Sequence, residues 1–215
     1  MPKTKKANSS KKRIAPVVER RSAWQIFAAL ALFAVAVLLT QPEEATALEE
    51  AIFSLFYIEG GVLVPVFFVI TQLGSVYFFA VLSLVLVLLK RYALAIRVLM
   101  AGALAYLLAG VGKDLFGRGR PDELFDNIEF HDMMIRGPGF PSGHTAMAVA
   151  IGAALLLHTP KKWRWPIVVL TSLAAISRMA LGVHTPLDIV GGVAIGWLAA
   201  MLFEQVTFSN RTTKK

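Results

Sequence analysis

The sequence predicts an all-α membrane protein, a polytopic bundle of six transmembrane helices, and three observations support this fold class. Hydrophobic residues make up 56% of the 215 residues and charged residues only 17%, whereas soluble domains average about 45–50% and about 25%. Long uncharged apolar runs recur along the chain, and Lys and Arg cluster in short segments beside them. The composition therefore excludes an ordinary soluble enzyme with a single core.

The apolar runs have the lengths that membrane crossing requires. A spanning helix needs about 17–25 mostly apolar residues. The predicted spans are residues 23–40, 62–89, 92–112, 142–157, 165–181 and 187–203. The second run exceeds one span, so part of residues 51–68 is expected to form an interfacial helix, with Pro65 and Gly74 as candidate kinks. The first run could instead be a cleaved signal peptide, but its uncharged length favours a retained anchor.

The chain is predicted to form one membrane domain between two polar ends. Residues 1–22 form a basic tail without apolar periodicity and are expected to be disordered. Residues 23–206 hold the six-span domain, and residues 207–215 form a second tail. The sequence has no Cys, which excludes disulfides, thiolate zinc sites and cysteine nucleophiles.

Positive charge alternates along the chain in the way that membrane topology requires. The basic N-terminus, Lys90-Arg91, the cluster at 161–164 and the basic C-terminus all fall on one side, which the positive-inside rule makes cytoplasmic. Both termini are thus predicted to be cytoplasmic, in the inner (cytoplasmic) membrane. The loops at 41–50, 114–141 and 182–186 face outward. This pattern accounts for most of the net charge of +8, so the predicted partners are the bilayer and a membrane lipid, not nucleic acid or an obligatory protein partner.

Several ionisable residues lie at the outward ends of the predicted spans, where such side chains are costly and therefore candidates for function. They are Lys113, Arg118, Arg120, His144, Arg178, His184 and Asp188. Taken singly, each has a structural alternative: cations stabilise helix C-termini, and Ser142 and Asp188 have the spacing of helix caps. Together, three chain segments deliver cations, two imidazoles and a carboxylate to one membrane level.

This combination suits phosphate chemistry. Guanidinium groups and the N–H groups of a helix N-terminus bind phosphate oxygens, and Gly143 allows close backbone approach. Of two histidines, one can attack phosphorus while the other handles the leaving-group proton, and Asp188 could orient a ring nitrogen of His184. A metal site is disfavoured because the cations would repel it and only Asp114 and Asp122 could add carboxylates.

Three motifs resemble the signatures of the type 2 phosphatidic acid phosphatase superfamily. They are Lys-x6-Arg-Pro beginning at Lys113, Pro-Ser-Gly-His ending at His144, and Ser-Arg-x5-His-x3-Asp ending at Asp188. All fixed positions are present and in order. The soluble haloperoxidases and acid phosphatases of that superfamily fit poorly with six spans, which leaves its membrane lipid phosphatases.

The resemblance implies a role for each matching residue. His184 would be the nucleophile that forms a phosphohistidine, Asp188 would orient it, and His144 would protonate the leaving oxygen and then activate water. The phosphate ligands would be Lys113, Arg120, Ser142, the Gly143 amide and Arg178. No metal or other cofactor is implied. Arg118 lies outside the motif and remains either a substrate contact or a solvated loop charge.

The predicted function is metal-independent hydrolysis of a lipid phosphate or pyrophosphate at the outer membrane surface. Among the substrates implied, undecaprenyl pyrophosphate is favoured over phosphatidylglycerol phosphate, phosphatidate and lipid A. Two alternatives stay open: a phosphotransferase that passes the phosphoryl group to another lipid, and a non-catalytic lipid-binding or transport protein. The loop at 122–136 either covers the site and reads headgroups or is simply solvated.

Overall fold

The computed structural model describes residues 15–40, 43–132 and 137–212, with side chains described from residue 23 to residue 204 within these ranges. The described residues form helices and connecting segments, with no strand among them. The helices are α1 (Ala15–Leu39), α2 (Ala47–Phe56), α3 (Leu63–Thr71), α4 (Val76–Leu88), α5 (Tyr92–Phe116), α6 (Pro121–Leu124), α7 (Gly143–His158), α8 (Arg164–Ala180) and α9 (Pro186–Thr212). The predicted all-α class is confirmed.

The helix boundaries follow from caps that the sequence supplies. Thr46, Ser75 and Ser142 each accept a hydrogen bond from the backbone N–H three residues later, at the starts of α2, α4 and α7. At its other end, α5 stops at Gly117, whose φ of 58° lies in the left-handed region that favours glycine. Pro186 occupies the first position of α9, where its missing N–H costs nothing.

Helices α5, α7 and α9 pack together through small side chains, and α1 packs against α9. Buried alanines such as Ala105, Ala150 and Ala199 fill the contact. A Cβ added to Gly196 would collide with the carbonyl oxygen of Ala146. The glycines of α9 thus allow the backbones of α7 and α9 to approach closely, as expected from their spacing in the sequence.

Two segments are long and apolar enough to cross a membrane, Tyr92–Leu124 and Pro186–Glu204, within the described part of the chain. Helices α3 and α4, joined by a 3-10 turn, would count as a third if the pair were one broken span. Ala23–Leu39 and Gly143–His158 are apolar but shorter. The structure therefore supports two or three candidate spans by length, and the six-span layout remains a prediction.

The run predicted as one span at 62–89 is divided by a bend of 58° between α3 and α4. The break lies next to Gly74, one of the two candidate kinks, and a Cβ at this position would collide with the carbonyl oxygen of His144. Pro65, the other candidate, lies in the first turn of α3 and is accommodated without a kink. Tertiary packing thus decides where this segment bends.

Three boundaries differ from those predicted. Helix α1 begins at Ala15 and α9 continues to Thr212, since polar residues extend a helix beyond the apolar stretch that defines a span. Helix α2 occupies part of the segment predicted as a polar loop at 41–50, because Thr46 and Glu49 start a helix there. The remainder of the predicted disordered tail, residues 1–14, lies outside the described residues.

Candidate active site

The centre of the site is a buried pair formed by His184 and Asp188 at the start of α9. His184 Nδ1 lies 3.2 Å from Asp188 Oδ2, and the Thr185 backbone N–H donates to the same oxygen at 3.0 Å. His184 is 3% exposed and Asp188 is fully buried. When Nδ1–H donates to a carboxylate, Nε2 keeps its lone pair. The pair therefore holds the imidazole in the tautomer that can attack an electrophile.

Burial and surrounding positive charge keep His184 neutral. Burial is the largest cause of a pKa well below the ordinary histidine value, followed by the charges of Lys113, Arg120 and Arg178 and by His144. These four groups come from α5, the α5–α6 connection, α8 and α7. The structure thus brings the cations and both histidines named by the sequence into one cluster around His184.

Backbone carbonyl groups hold two of the cations in place. Lys113 Nζ donates to the carbonyl oxygens of Pro138 and Gly139, the second at 3.1 Å. Arg120 donates to the carbonyl oxygens of Gly137 and Val183, each at 2.8 Å. Burial lowers the pKa of Arg120 to about 10, so this guanidinium keeps its charge at neutral pH. Carbonyl groups fix the cations without neutralising them, which suits binding of an anion.

Arg178 is almost completely buried, at 1% exposure. Its Nη1 donates to Thr71 Oγ1 and to Asp132 Oδ2, both at 2.6 Å. Its Nε is one of the few buried side-chain nitrogens in the described residues without a hydrogen-bond partner. Since buried donors are nearly always paired, this N–H marks a place where a bound anion would supply the missing acceptor.

Ser142 and Gly143 form the N-terminus of α7 beside this cluster. The Ser142 hydroxyl caps α7 by accepting from the Thr145 N–H at 3.4 Å, and the Ser142 N–H donates to the Asp188 carbonyl oxygen at 3.0 Å. This last bond ties the start of α7 to the first turn of α9. His144, in the first turn of α7, is partly buried. The helix N-terminus adds a partial positive charge to the site.

Arg118 is not a solvated loop charge, because its side chain is fully buried in an ion-pair network. Nη2 lies 2.7 Å from Glu49 Oε2, and Nη1 lies 2.7 Å from Thr185 Oγ1 and 3.5 Å from Asp188 Oδ1. Nothing in the sequence singles out Glu49 as a residue of the site. Its helix-capping position could be recognised from the sequence, but its partner 69 residues away could not.

In the described part of the loop at 122–136, Asp132 contacts the cluster through its ion pair with Arg178. Nearby, the Glu129 backbone N–H donates to the Tyr57 hydroxyl at 3.0 Å, and the His131 N–H donates to the Leu181 carbonyl oxygen at 3.0 Å. The described part of this loop is therefore attached to the rim of the site. Residues 133–136 lie outside the described residues.

Similar proteins of known sequence include two that are named undecaprenyl-diphosphatase. An undecaprenyl-diphosphatase from Sulfolobus acidocaldarius is 29% identical over 127 residues, covering 59% of this chain and 61% of the relative. The undecaprenyl-diphosphatase BcrC of Bacillus subtilis is 38% identical over 64 residues, covering 30% of this chain and 33% of the relative. This chain thus spans about three fifths of the first relative and a third of the second.

Two solved structures share the fold. The crystal structure of Aquifex aeolicus LpxE superposes with a TM-score of 0.69 at 26% identity, covering 77% of this chain and 99% of the other. A transmembrane phosphatidylglycerolphosphate phosphatase from Bacillus subtilis gives a TM-score of 0.71 at 24% identity, covering 86% and 97%. The family model of the PAP2 superfamily matches residues 94–212, which include all three motifs and most of the helical core. The chain belongs to the PAP2 superfamily.

Proposed function

We propose that this protein hydrolyses a lipid phosphate or pyrophosphate through a phosphohistidine on His184, without a metal ion. The observation that carries the proposal is the buried His184–Asp188 pair, with Nδ1 held at 3.2 Å and the ring surrounded by Lys113, Arg120 and Arg178. Anion binding alone needs neither an oriented neutral imidazole nor a second histidine. The arrangement therefore favours catalysis over simple lipid binding.

The first half of the reaction transfers the phosphoryl group to the protein. His184 Nε2 attacks phosphorus in line with the leaving oxygen, so that an N–P bond forms as the P–O bond breaks. His144 gives its proton to the leaving oxygen. Meanwhile Asp188 stabilises the positive charge that develops on the His184 ring, and Lys113, Arg120 and Arg178 stabilise the charge on the equatorial oxygens. The Ser142 and Gly143 end of α7 completes the phosphate environment.

The second half regenerates the protein. His144, now neutral, takes a proton from water as that water attacks phosphorus, and the N–P bond breaks. Inorganic phosphate leaves, His184 returns to its starting tautomer, and His144 is again protonated. Each proton and each phosphoryl oxygen is accounted for by these two histidines, the substrate and one water. The cycle therefore requires no cofactor.

We further propose that the domain at 23–206 crosses the cytoplasmic membrane six times, with both termini in the cytoplasm and the site facing outward. The distribution of Lys and Arg supports this orientation. Undecaprenyl pyrophosphate is the proposed substrate, because two similar proteins bear the name undecaprenyl-diphosphatase. Phosphatidylglycerol phosphate, phosphatidate and lipid A are the competing substrates. A competitive panel of these four lipids in detergent micelles would rank them by kcat/KM.

Phosphate release is expected to continue at full rate in excess EDTA and to be inhibited by vanadate. The cations that surround His184 already supply the positive charge that a metal would contribute, and vanadate mimics the five-coordinate transition state. The measurement is phosphate release from undecaprenyl pyrophosphate in detergent, before and after chelation and with increasing vanadate. Loss of activity in EDTA that added Mg²⁺ restores would contradict the metal-independent mechanism.

Asp132→Asn is expected to tighten the binding of phosphate and vanadate. The Asp132 carboxylate accepts a hydrogen bond from Arg178 Nη1 at 2.6 Å and adds negative charge where the anion must bind. Removing that charge should lower the inhibition constant for vanadate by about tenfold, which corresponds to about 1.4 kcal/mol.

The matched control for this prediction is Asp126→Asn, in the same loop but exposed. It removes the same charge at a distance from Arg178 and should leave the vanadate inhibition constant unchanged. Weaker vanadate binding by Asp132→Asn would instead mean that Asp132 supports the active orientation of Arg178.

A further inference from the structure

Glu49 is a buried acid on α2, a helix outside the three motifs. It is 4% exposed, although it lies in the first turn of a short helix whose adjacent residues are exposed. Its carboxylate pairs with Arg118 through both oxygens, with Oε1 2.9 Å from Nη1 and Oε2 2.7 Å from Nη2. A buried charge requires a partner, and a bidentate Arg–carboxylate pair is the strongest that side chains provide.

Helix capping does not account for this carboxylate. In a capping box, the Glu side chain accepts a hydrogen bond from the backbone N–H of the N-cap residue, here Thr46. Thr46 fulfils its half, accepting from the Glu49 N–H at 3.2 Å. The Glu49 carboxylate instead bonds to Arg118 and to the Leu187 N–H, at 3.2 Å. Its contacts are therefore with the active site and not with its own helix.

The bond to Leu187 places Glu49 against the first turn of α9. Leu187 immediately precedes Asp188, whose Oδ2 orients His184. A carboxylate at a helix N-terminus also interacts favourably with the helix dipole. Glu49 thus stabilises the position of the backbone segment that carries Asp188.

The second contact, the ion pair between Glu49 and Arg118, affects the charge around Asp188. Arg118 lies between two carboxylates, 2.7 Å from Glu49 but 3.5 Å from Asp188. Burial acts to lower the pKa of Arg118, but the hydrogen bond to Glu49 and the charges of Asp188 and Glu49 outweigh it, so the pKa is raised. Because Glu49 pairs with both Nη atoms of Arg118, Asp188 approaches the guanidinium only to 3.5 Å, and its Oδ2 lies 3.2 Å from His184 Nδ1.

We propose that Glu49 is a positioning residue for the proposed reaction: through Arg118 and the Leu187 N–H, it fixes Asp188 so that Asp188 can orient and polarise His184. This inference rests on the proposed phosphohistidine mechanism. Helix α2, which lies outside all three motifs, thereby has a role in catalysis.

The test compares Glu49→Gln, Glu49→Asp and Glu50→Gln in the full chain, with farnesyl pyrophosphate in detergent as the probe. Glu50 is the matched control, since it is the next residue on α2 and is exposed. Glu49→Gln should lower kcat between about 10- and 100-fold, the scale of a small misplacement of reacting groups, with KM changed less than about twofold. Glu49→Asp, which keeps the charge, should recover most of that loss.

The pH profile separates positioning from a general loosening of the structure. Without the Glu49 charge, Arg118 turns to Asp188, which then stabilises protonated His184 less. The pKa of His184 falls, and the acid limb of kcat/KM moves to lower pH in Glu49→Gln only. Among the described residues, the charged or titratable groups facing His184 are Lys113, Arg120, His144, Arg178 and Asp188, and all remain in place in these variants. A structural role alone would raise KM and lower thermal stability without moving the acid limb.

The outcomes are distinct. If the unmodified protein and Glu50→Gln release no phosphate from any lipid, the proposed function fails and this inference falls with it. If both are active and Glu49→Gln matches them in kcat and acid limb, only the role of Glu49 is overturned. Should Glu49→Gln not survive purification, Glu49→Gln/Arg118→Gln leaves neither charge unpaired and should show the same loss of kcat. Unchanged kcat in that double variant also overturns the inference.

Discussion

Replacement of His184 by Ala is expected to abolish turnover, lowering kcat by about 10⁴-fold or more, the order seen when an attacking side chain is removed. Alanine removes the only atom proposed to form a covalent bond to phosphorus, while the cations that hold the phosphate stay in place. The measurement is phosphate release from undecaprenyl pyrophosphate, together with labelled protein after brief exposure to ³²P-substrate. Neither signal should exceed the background.

The control for His184→Ala is His158→Ala. His158 lies at the other end of α7 from His144, where its Nε2 is 3.0 Å from Glu204 Oε1, and it has no contact with the proposed machinery. It therefore reports the effect of losing an imidazole elsewhere in the fold. Substantial phosphate release by His184→Ala, with His158→Ala active, would mean that another group attacks phosphorus.

Replacement of His144 by Ala is expected to separate the two halves of the reaction. With a lipid phosphate, both protonation of the leaving oxygen and activation of water are lost, so kcat should fall by about 10²- to 10⁴-fold. With p-nitrophenyl phosphate, the leaving group needs no proton. The first half should therefore proceed while hydrolysis of the phosphohistidine stalls.

The expected signature of His144→Ala is a burst of nitrophenolate equal to the amount of protein, followed by a much slower steady rate. Phosphohistidine should then be recoverable under alkaline conditions, where it is stable. His144→Ala/His184→Ala serves as the control, because it lacks the attacking nitrogen and should give no burst. A steady rate without a burst, in the presence of ordinary turnover, would show that His144 is not needed for the second half.

The sequence was sufficient to predict the features that depend on local chemistry. Helices α5, α7 and α9 were evident as apolar runs, and the clustering of Lys113, Arg120 and Arg178 with both histidines followed from placing those runs side by side. Motif spacing and the alternation of charge are local or nearly local properties of the sequence. They do not depend on which distant segments pack together.

The features that the sequence could not predict arise from contacts between distant segments. The close approach between Gly74 and the carbonyl oxygen of His144 exists only once α7 has packed against this segment. Likewise, the sequence places Glu49 in the outward loop at 41–50, and its ion pair with Arg118 exists only in the folded chain. Neither hydrophobic periodicity nor secondary-structure propensity indicates which distant residue a buried charge will pair with.

The glycine contacts between α7 and α9 have a consequence for how the protein responds to its bilayer. Helices adjust to a thicker or thinner membrane by tilting. His144 lies in the first turn of α7 and Asp188 in the first turn of α9. These helices approach each other closely at Gly196 and are joined by the hydrogen bond from the Ser142 N–H to the Asp188 carbonyl oxygen at 3.0 Å. In the proposed six-span arrangement, these two helices should therefore tilt as one body. The reacting groups keep their mutual geometry while the hydrophobic thickness around them changes, so membrane composition should affect how lipid reaches the site far more than how the site reacts.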